Sequence, residues 1–191
     1  MSATTSVFSE FEVRRLGFKF KDATSATLVP CVGSIEEEST IRKVTKKCRG
    51  VVKKRRNRGT GEGTIKLSLH IPYSVYVEMF GMELDTLMTD VFAYGENSLH
   101  PEFCLTADVF DEDGNELVRA WPCCVASAGP ARKTTNGEEE VAEVEIEAEF
   151  SPDEYGNGCY ECSAAVAKTT FESVDSFMQN FDPAKAQLDK V

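Results

Sequence analysis

A mainly β fold follows from three features of the sequence. Thr64 to Ile71 alternates strictly, placing Ile65, Leu67, Leu69 and Ile71 on one face of an extended chain and Thr64, Lys66, Ser68 and His70 on the other. Val141 to Phe150 is as regular, with Glu143, Glu145, Glu147 and Glu149 on one side and Val144, Ile146, Ala148 and Phe150 on the other. A helix would scatter those four carboxylates, whereas a strand sets them in a row. Between two further apolar runs lies Asp113-Gly114, a strong hairpin signal.

The other elements follow in chain order. Residues 1 to 9 read as an N-terminal arm, and Phe11 to Phe20 as a first strand with partly alternating apolar positions. Residues 22 to 39, with Pro30, Gly33 and Glu36-Glu37-Glu38, read as a loop or irregular edge. Ile41 to Val52 alternates charge with small or apolar residues and reads as a strand partnered by the Thr64 to Ile71 strand. Between them, Lys53-Lys54-Arg55-Arg56-Asn57-Arg58-Gly59-Thr60-Gly61-Glu62-Gly63 is expected to form the long, flexible loop of a β-hairpin, since its glycines permit tight or left-handed backbone.

Pro72 and Gly81 bracket one short helix that carries Val75, Tyr76, Met79 and Phe80 at helical spacing. Val91 to Tyr94, Phe103 to Phe110 and Glu116 to Val125 read as further strands. Ser151-Pro152-Asp153 and Gly156-Asn157-Gly158 are turns. Beyond them, residues 165 to 191 form a C-terminal arm or amphipathic helix presenting Phe171, Val174, Phe177, Met178 and Phe181. No internal repeat or dividing linker is visible, so residues 1 to 191 are expected to fold as a single domain.

Composition narrows the function. No apolar run approaches the roughly 20 residues that cross a bilayer, so the chain is expected to be soluble and to have no membrane partner. Met1 leads into polar residues rather than a basic and then hydrophobic segment, so no secretory signal is expected. The seven cysteines are an odd number scattered over the chain, a poor disulfide framework that fits a reducing compartment.

Charge is strongly segregated. The net charge is −11, yet ten of the 21 basic residues (Arg42, Lys43, Lys46, Lys47, Arg49, Lys53, Lys54, Arg55, Arg56 and Arg58) lie between positions 42 and 58 without a single acid. The remainder carries 11 basic residues against 32 acidic, a balance of −21. Two electrostatically unlike surfaces on one chain fit a subunit that docks on copies of itself.

Chemistry-bearing motifs are weak. Asp111-x-Asp113-x-Asn115 resembles the start of a calcium loop, but glycine falls at loop position four and Pro122 at position twelve, which favours a plain hairpin turn. Cys159-x-x-Cys162 lacks a second Cys/His pair, which favours a structural role. Neither His70 nor His100 has a nucleophile or ligand set within sequence reach. There is no phosphate loop, nucleophile elbow or His-Glu-x-x-His, and the four strand glutamates share one environment where acid–base chemistry needs two unlike ones. The chain is expected not to be an enzyme and to need no metal or cofactor.

The basic segment 42 to 58 supports a second reading, a nucleic-acid-binding β-module that neutralises phosphates. Residues 41 to 63 lack aromatic side chains for base stacking, and the rest of the chain is acidic, which favours contacts between subunits.

Three stretches, Lys47-Cys48-Arg49-Gly50, Gly61 to Tyr73 and Tyr94 to Phe103, together with the order of elements over residues 40 to 165, resemble major tail proteins of long-tailed bacteriophages. The resemblance implies a β-sandwich or incomplete barrel with one flanking helix, assembled as hexameric rings stacked into a hollow tail tube in the virion. It implies tip, initiator and terminator proteins as partners, with DNA passing through without specific binding. In that family the long hairpin loop joins successive rings, corresponding here to residues 53 to 63. On this reading Glu143, Glu145, Glu147 and Glu149 face the lumen, where like charge repels DNA phosphates. A phage-derived bacteriocin or a bacterial secretion tube is built from the same kind of subunit.

Overall fold

The computed structural model describes residues 8–49, 51–134, 137 and 141–188, with Lys47, Cys48, Val51 and Lys53 described by backbone alone. The elements in order are β1 (Glu10–Phe20), β2 (Thr27–Val29), β3 (Val32–Cys48), β4 (Val51–Leu69), α1 (Tyr73–Met79), β5 (Phe103–Asp111), β6 (Glu116–Ala126), β7 (Val144–Ser151), β8 (Tyr160–Ser163), α2 (Ala164–Thr170), α3 (Val174–Asn180) and a 3-10 turn at Pro183–Ala186. The fold is mainly β, as the alternation implies. Every strand pairing is antiparallel, in one sheet of order β2-β1-β5-β6-β7-β4-β3 with β8 also paired to β6.

The sheet curls until β1 approaches β3 without pairing to it, giving an incomplete barrel. Its interior is filled from alternate positions: Leu16, Phe18 and Phe20 of β1, Ile65, Leu67 and Leu69 of β4, Phe103 and Leu105 of β5, Trp121 of β6, and Ile146, Ala148 and Phe150 of β7. The helix α1 adds Val75, Tyr76 and Met79 to the same core.

A second, smaller core lies on the outer face. There α2 and α3 lay Ala167, Phe171, Val174, Phe177, Met178 and Phe181 against Val118 and Ala120 of β6. The C-terminal segment therefore docks on the sheet as two helices. Glu172 in the left-handed region (φ 73°) ends the first, and the Ser173 hydroxyl, accepting from the Ser176 N–H, caps the second. Gly17 permits that docking, because a Cβ there would press on Thr106 and the Met178 carbonyl, to which the Thr106 hydroxyl donates at 2.8 Å.

Several segments differ from the sequence reading. Residues 22 to 39 are largely strand, because β3 runs from Val32 as an edge strand whose glutamates meet water. Residues 53 to 63 are not a loop but part of β4, paired to β3 from Lys54 to Gly59 and again at Gly63 with a bulge between, and the chain turns after Cys48, where Arg49 takes φ 50°. Their glycines serve close packing and a bulge: Gly61 takes φ 78°, and a side chain at Gly63 would collide with the Glu38 carbonyl and the Phe150 ring. Val91 to Tyr94 is loop rather than strand, with Phe92 edge to face with Tyr73 at 5.7 Å and the Tyr94 hydroxyl hydrogen-bonded to His100 at 3.1 Å. Of the expected N-terminal arm, residues 1–7 lie outside the described residues.

An ion pair ties the two cores together. The carboxylate of Asp108, only 1% exposed, accepts from Arg15 Nε at 2.9 Å and Nη2 at 2.7 Å, while Nη1 donates to Asp175 of α3 at 2.7 Å. Glu116 beside it has its carboxyl pushed above the ordinary range, first by partial burial and then by the Asp108 charge.

Cys159 packs against the inner core and Cys162 against the outer one, so this Cys-x-x-Cys pair is divided between two hydrophobic clusters. Burial pushes the Cys159 and Cys104 thiols up to about 12 and Cys162 to about 11. Such thiols are poor nucleophiles and poor metal ligands near neutrality.

Two measurements follow. A raised folded pKa at Glu116 means that its favourable contribution is complete below the unfolded carboxylate value of about 4.3 and is lost as pH rises through the higher folded value. Glu116→Gln therefore raises the thermal midpoint at pH about 7 and leaves it nearly unchanged at pH about 3.5, an equal gain at both being the contrary result. Thiol alkylation of the folded protein at pH about 8, read by peptide mass spectrometry, modifies the exposed Cys31 ahead of Cys104, Cys124 and Cys159.

Candidate functional site

Beyond the barrel, β3 and β4 continue as a two-stranded ribbon. Its register sets Arg42 opposite Arg58, Val44 opposite Arg56 and Lys46 opposite Lys54. Alternation then places Arg42, Lys46, Lys54, Arg56 and Arg58 on one face, all exposed, while Lys43, Thr45, Arg55 and Asn57 occupy the other. Like charges directly opposite each other weaken a strand pair, so two rungs of this ribbon work against its own folding. Of the sequence-derived loop residues, Lys54, Arg55, Arg56, Asn57 and Arg58 lie on this ribbon, as does the backbone of Lys53. Gly59, Thr60, Gly61, Glu62 and Gly63 lead from it into the barrel. There the Thr60 hydroxyl donates to the Thr40 carbonyl at 3.1 Å and accepts from the Glu62 N–H.

The carboxylate row forms on the outer face of β7. Glu145, Glu147 and Glu149 are exposed and alternate with the half-buried Val144 and the buried Ile146, Ala148 and Phe150. Across the sheet they meet Ser68, Lys66 and Thr64 of β4, and beyond those lie Ser34, Glu36 and Glu38 of β3. Five carboxylates therefore surround one cation, Lys66, whose ammonium reaches Glu147 at 3.6 Å. Glu143 is separate from the row: it precedes β7 and its carboxylate folds across to accept from the Ser68 hydroxyl. The β3 glutamates were hidden from the sequence reading because their segment looked like a loop, and only the pairing through β4 brings them to the β7 row.

This acidic face and the helix-covered face are two parts of one sheet surface. The helices α2 and α3 cover β1, β5 and β6, whereas β7, β4 and the start of β3 present their outer side chains to solvent.

The remaining candidate motifs are absorbed by structure. Asp111 accepts from the Asp113 and Asn115 N–H groups and from the Asn115 side chain, so its carboxylate closes the β5–β6 turn and is held below its ordinary range chiefly by the Asn115 amide. His100 contacts the Ala126 carbonyl through Nδ1 at 2.8 Å and the Tyr94 hydroxyl through Nε2, and its ring packs on Phe80. It pins the α1–β5 connection to the end of β6. His70 is exposed just beyond the end of β4, its N–H donating to the Cys31 carbonyl at 3.0 Å.

No family profile and no curated protein matches the chain. Among solved structures it is similar to the cap that terminates the tube of the anti-feeding prophage, with TM-score 0.45 and 11% identity over 86% of this chain and 100% of that one. It is also similar to a chain of the sheath–tube complex of an extracellular contractile injection system, PVC, in its extended state, with TM-score 0.43 and 9% identity over 80% and 91% of the two chains. A chain of the anti-feeding prophage baseplate gives TM-score 0.42 and 6% identity over 85% and 97%.

Proposed function

We propose that this chain is a structural subunit of a phage-type tail tube, which assembles into stacked hexameric rings whose lumen passes DNA. The observation that carries the reading is the unclosed sheet. The outer edge of β3, over its seventeen residues, pairs with no strand among the described residues, and neither does the first half of β1 on the side away from β5. Two open edges at opposite ends of one curled sheet invite a head-to-tail contact, and such contacts close into rings when the rotation between subunits permits.

The acidic face fits the wall of the lumen. Exposed Glu145, Glu147 and Glu149, with Glu143 beside them, would repel phosphates and let DNA slide. The tip, initiator and terminator proteins expected from the resemblance would meet the first and last rings, and the assembled tail of a virion or of a related particle would be the site of action.

The cationic ribbon favours a second reading. A two-stranded β-ribbon with five cations on one face has the width to enter a DNA major groove. Titration with duplex DNA separates the two, since phosphate contacts by that face would give an affinity falling steeply as salt rises.

Electron microscopy of the concentrated protein should show six-fold rings or tubes with Glu145, Glu147 and Glu149 on the inner wall. A monomer with those residues directed outward would overturn the reading. Replacing all three by Gln should leave tubes intact yet make them co-purify with nucleic acid, raising absorbance at 260 nm relative to 280 nm.

A further inference from the structure

The topology places the two charged extremes of the chain at opposite ends. β4 carries the ribbon at its beginning and leads into α1 at its end, and the α1–β5 connection returns to that same end, where His100 meets the last residue of β6. Between Lys66 and Arg119 the sequence has no lysine or arginine. Within that span Glu78, Glu83, Asp85, Asp90 and Glu96, all exposed, lie in the α1–β5 segment that follows the end of β4 remote from the ribbon.

This far end is also apolar. Tyr73, Met88, Val91, Tyr94 and Leu99 are exposed there, Met88 and Leu99 each by 82%. Between α1 and the segment after it lies an open groove of about 490 Å³, walled by Tyr73, Ser74, Val77, Glu78, Glu83 and Phe92. Tyr73 and Phe92 stand edge to face in its wall. Glu78 has its carboxyl raised by partial burial and then by the charges of Glu83 and Asp22, so the anions here repel one another as the ribbon's cations do. The aromatic rings already accept a guanidinium: Arg132 lies 4.1 Å from the Tyr76 ring centroid and 5.4 Å from that of Tyr73. An acidic, aromatic-walled groove suits an arginine or lysine, which gains both a charge-assisted hydrogen bond and a ring face.

We propose that the cationic face of the ribbon, Arg42, Lys46, Lys54, Arg56 and Arg58, docks on the groove between α1 and the 82–92 segment of a second copy, joining copies head to tail along β4. The proposal rests on the self-assembly reading and names the receiving surface. Exposed Val44, on the same face of the ribbon, matches the exposed apolar residues at the far end, so charge steers the contact and apolar area is buried within it. Because ribbon and groove lie on different parts of the chain, the contact repeats from copy to copy.

Zero-length carbodiimide cross-linking of an equal mixture of ¹⁵N-labelled and unlabelled full-length protein tests the contact. Mixed-isotope links are expected between Lys46 or Lys54 and Glu78, Glu83 or Asp85. Tubes or rings that form with intermolecular links only elsewhere would leave the assembly reading standing and overturn this one, while a strict monomer would overturn both.

Charge reversal supplies a second arm. Arg56→Glu with Arg58→Glu, or Glu78→Lys with Glu83→Lys, should each raise the concentration needed for self-association by about tenfold, and the four together should recover most of that loss. Wild-type association by both double variants would overturn the docking. So would a ribbon variant that loses salt-sensitive DNA binding while self-association is unchanged, since the ribbon would then be a nucleic-acid arm.

Discussion

Burial of β5 on both faces is the constraint from which the rest of the architecture follows. Phe103, Leu105, Ala107 and Val109 enter the barrel core, while Thr106 and Asp108 are buried beneath the C-terminal helices. Polar side chains on a strand covered on both sides need partners: Thr106 finds the Met178 carbonyl of the C-terminal layer, and one oxygen of Asp108 finds Arg15 of β1, itself held by Asp175 of α3. Helix cover over β1, β5 and β6 leaves β7, β4 and β3 as the uncovered part of the outer face. A row of glutamates can stand there without desolvation cost.

The Arg15–Asp108 pair contributes organisation more than net stability. Desolvating two charges offsets most of their attraction, and Asp108 Oδ1 is buried without a hydrogen-bond partner among the described residues. Removing Arg15 alone would leave the carboxylate under the helices uncompensated, so the pair selects the docked arrangement of α3 against looser ones. The exposed bridge from Lys66 to Glu147 lies across solvated strands and is worth far less.

Strands with one wet and one dry face were legible in the sequence because period-two alternation reports that condition directly: β4 from Thr64 and β7 both show it. Strands whose surroundings are uniform were not. The start of β3 is wet on most of its outer positions and carries three successive glutamates, so nothing in its pattern separates an edge strand from a loop. Gly59, Gly61 and Gly63 read as a flexible tip because glycine permits many conformations. In the fold Gly59 and Gly63 are held in β4 by pairing to β3, Gly63 by the closeness of Phe150 as well, and Gly61 takes φ 78° in the bulge between them. The run Val91-Phe92-Ala93-Tyr94 has strand propensity but no strand beside it, and its aromatic rings are spent on Tyr73, Phe80 and His100. Of the candidate surfaces, the glutamates of β7 and the basic run were visible as sequence. The glutamates of β3, which complete the acidic face, and the groove beside α1 were not, since both arise from contacts between segments far apart in the chain.

A ribbon with arginine opposite arginine and lysine opposite lysine has an electrostatic cost that its own backbone hydrogen bonds must offset. The same holds at the opposite end, where Glu78, Glu83 and Asp22 crowd together. Natural sequences rarely maintain two such conflicts without a function that resolves them, and here their signs are opposite. Interleaving acids along the ribbon would relieve the isolated chain, but it would also erase the polarity that tells one end of the molecule from the other. Separation of charge by sign is therefore better understood as a specification of direction: like ends repel, unlike ends attract, and a stack of such subunits has a single permitted orientation.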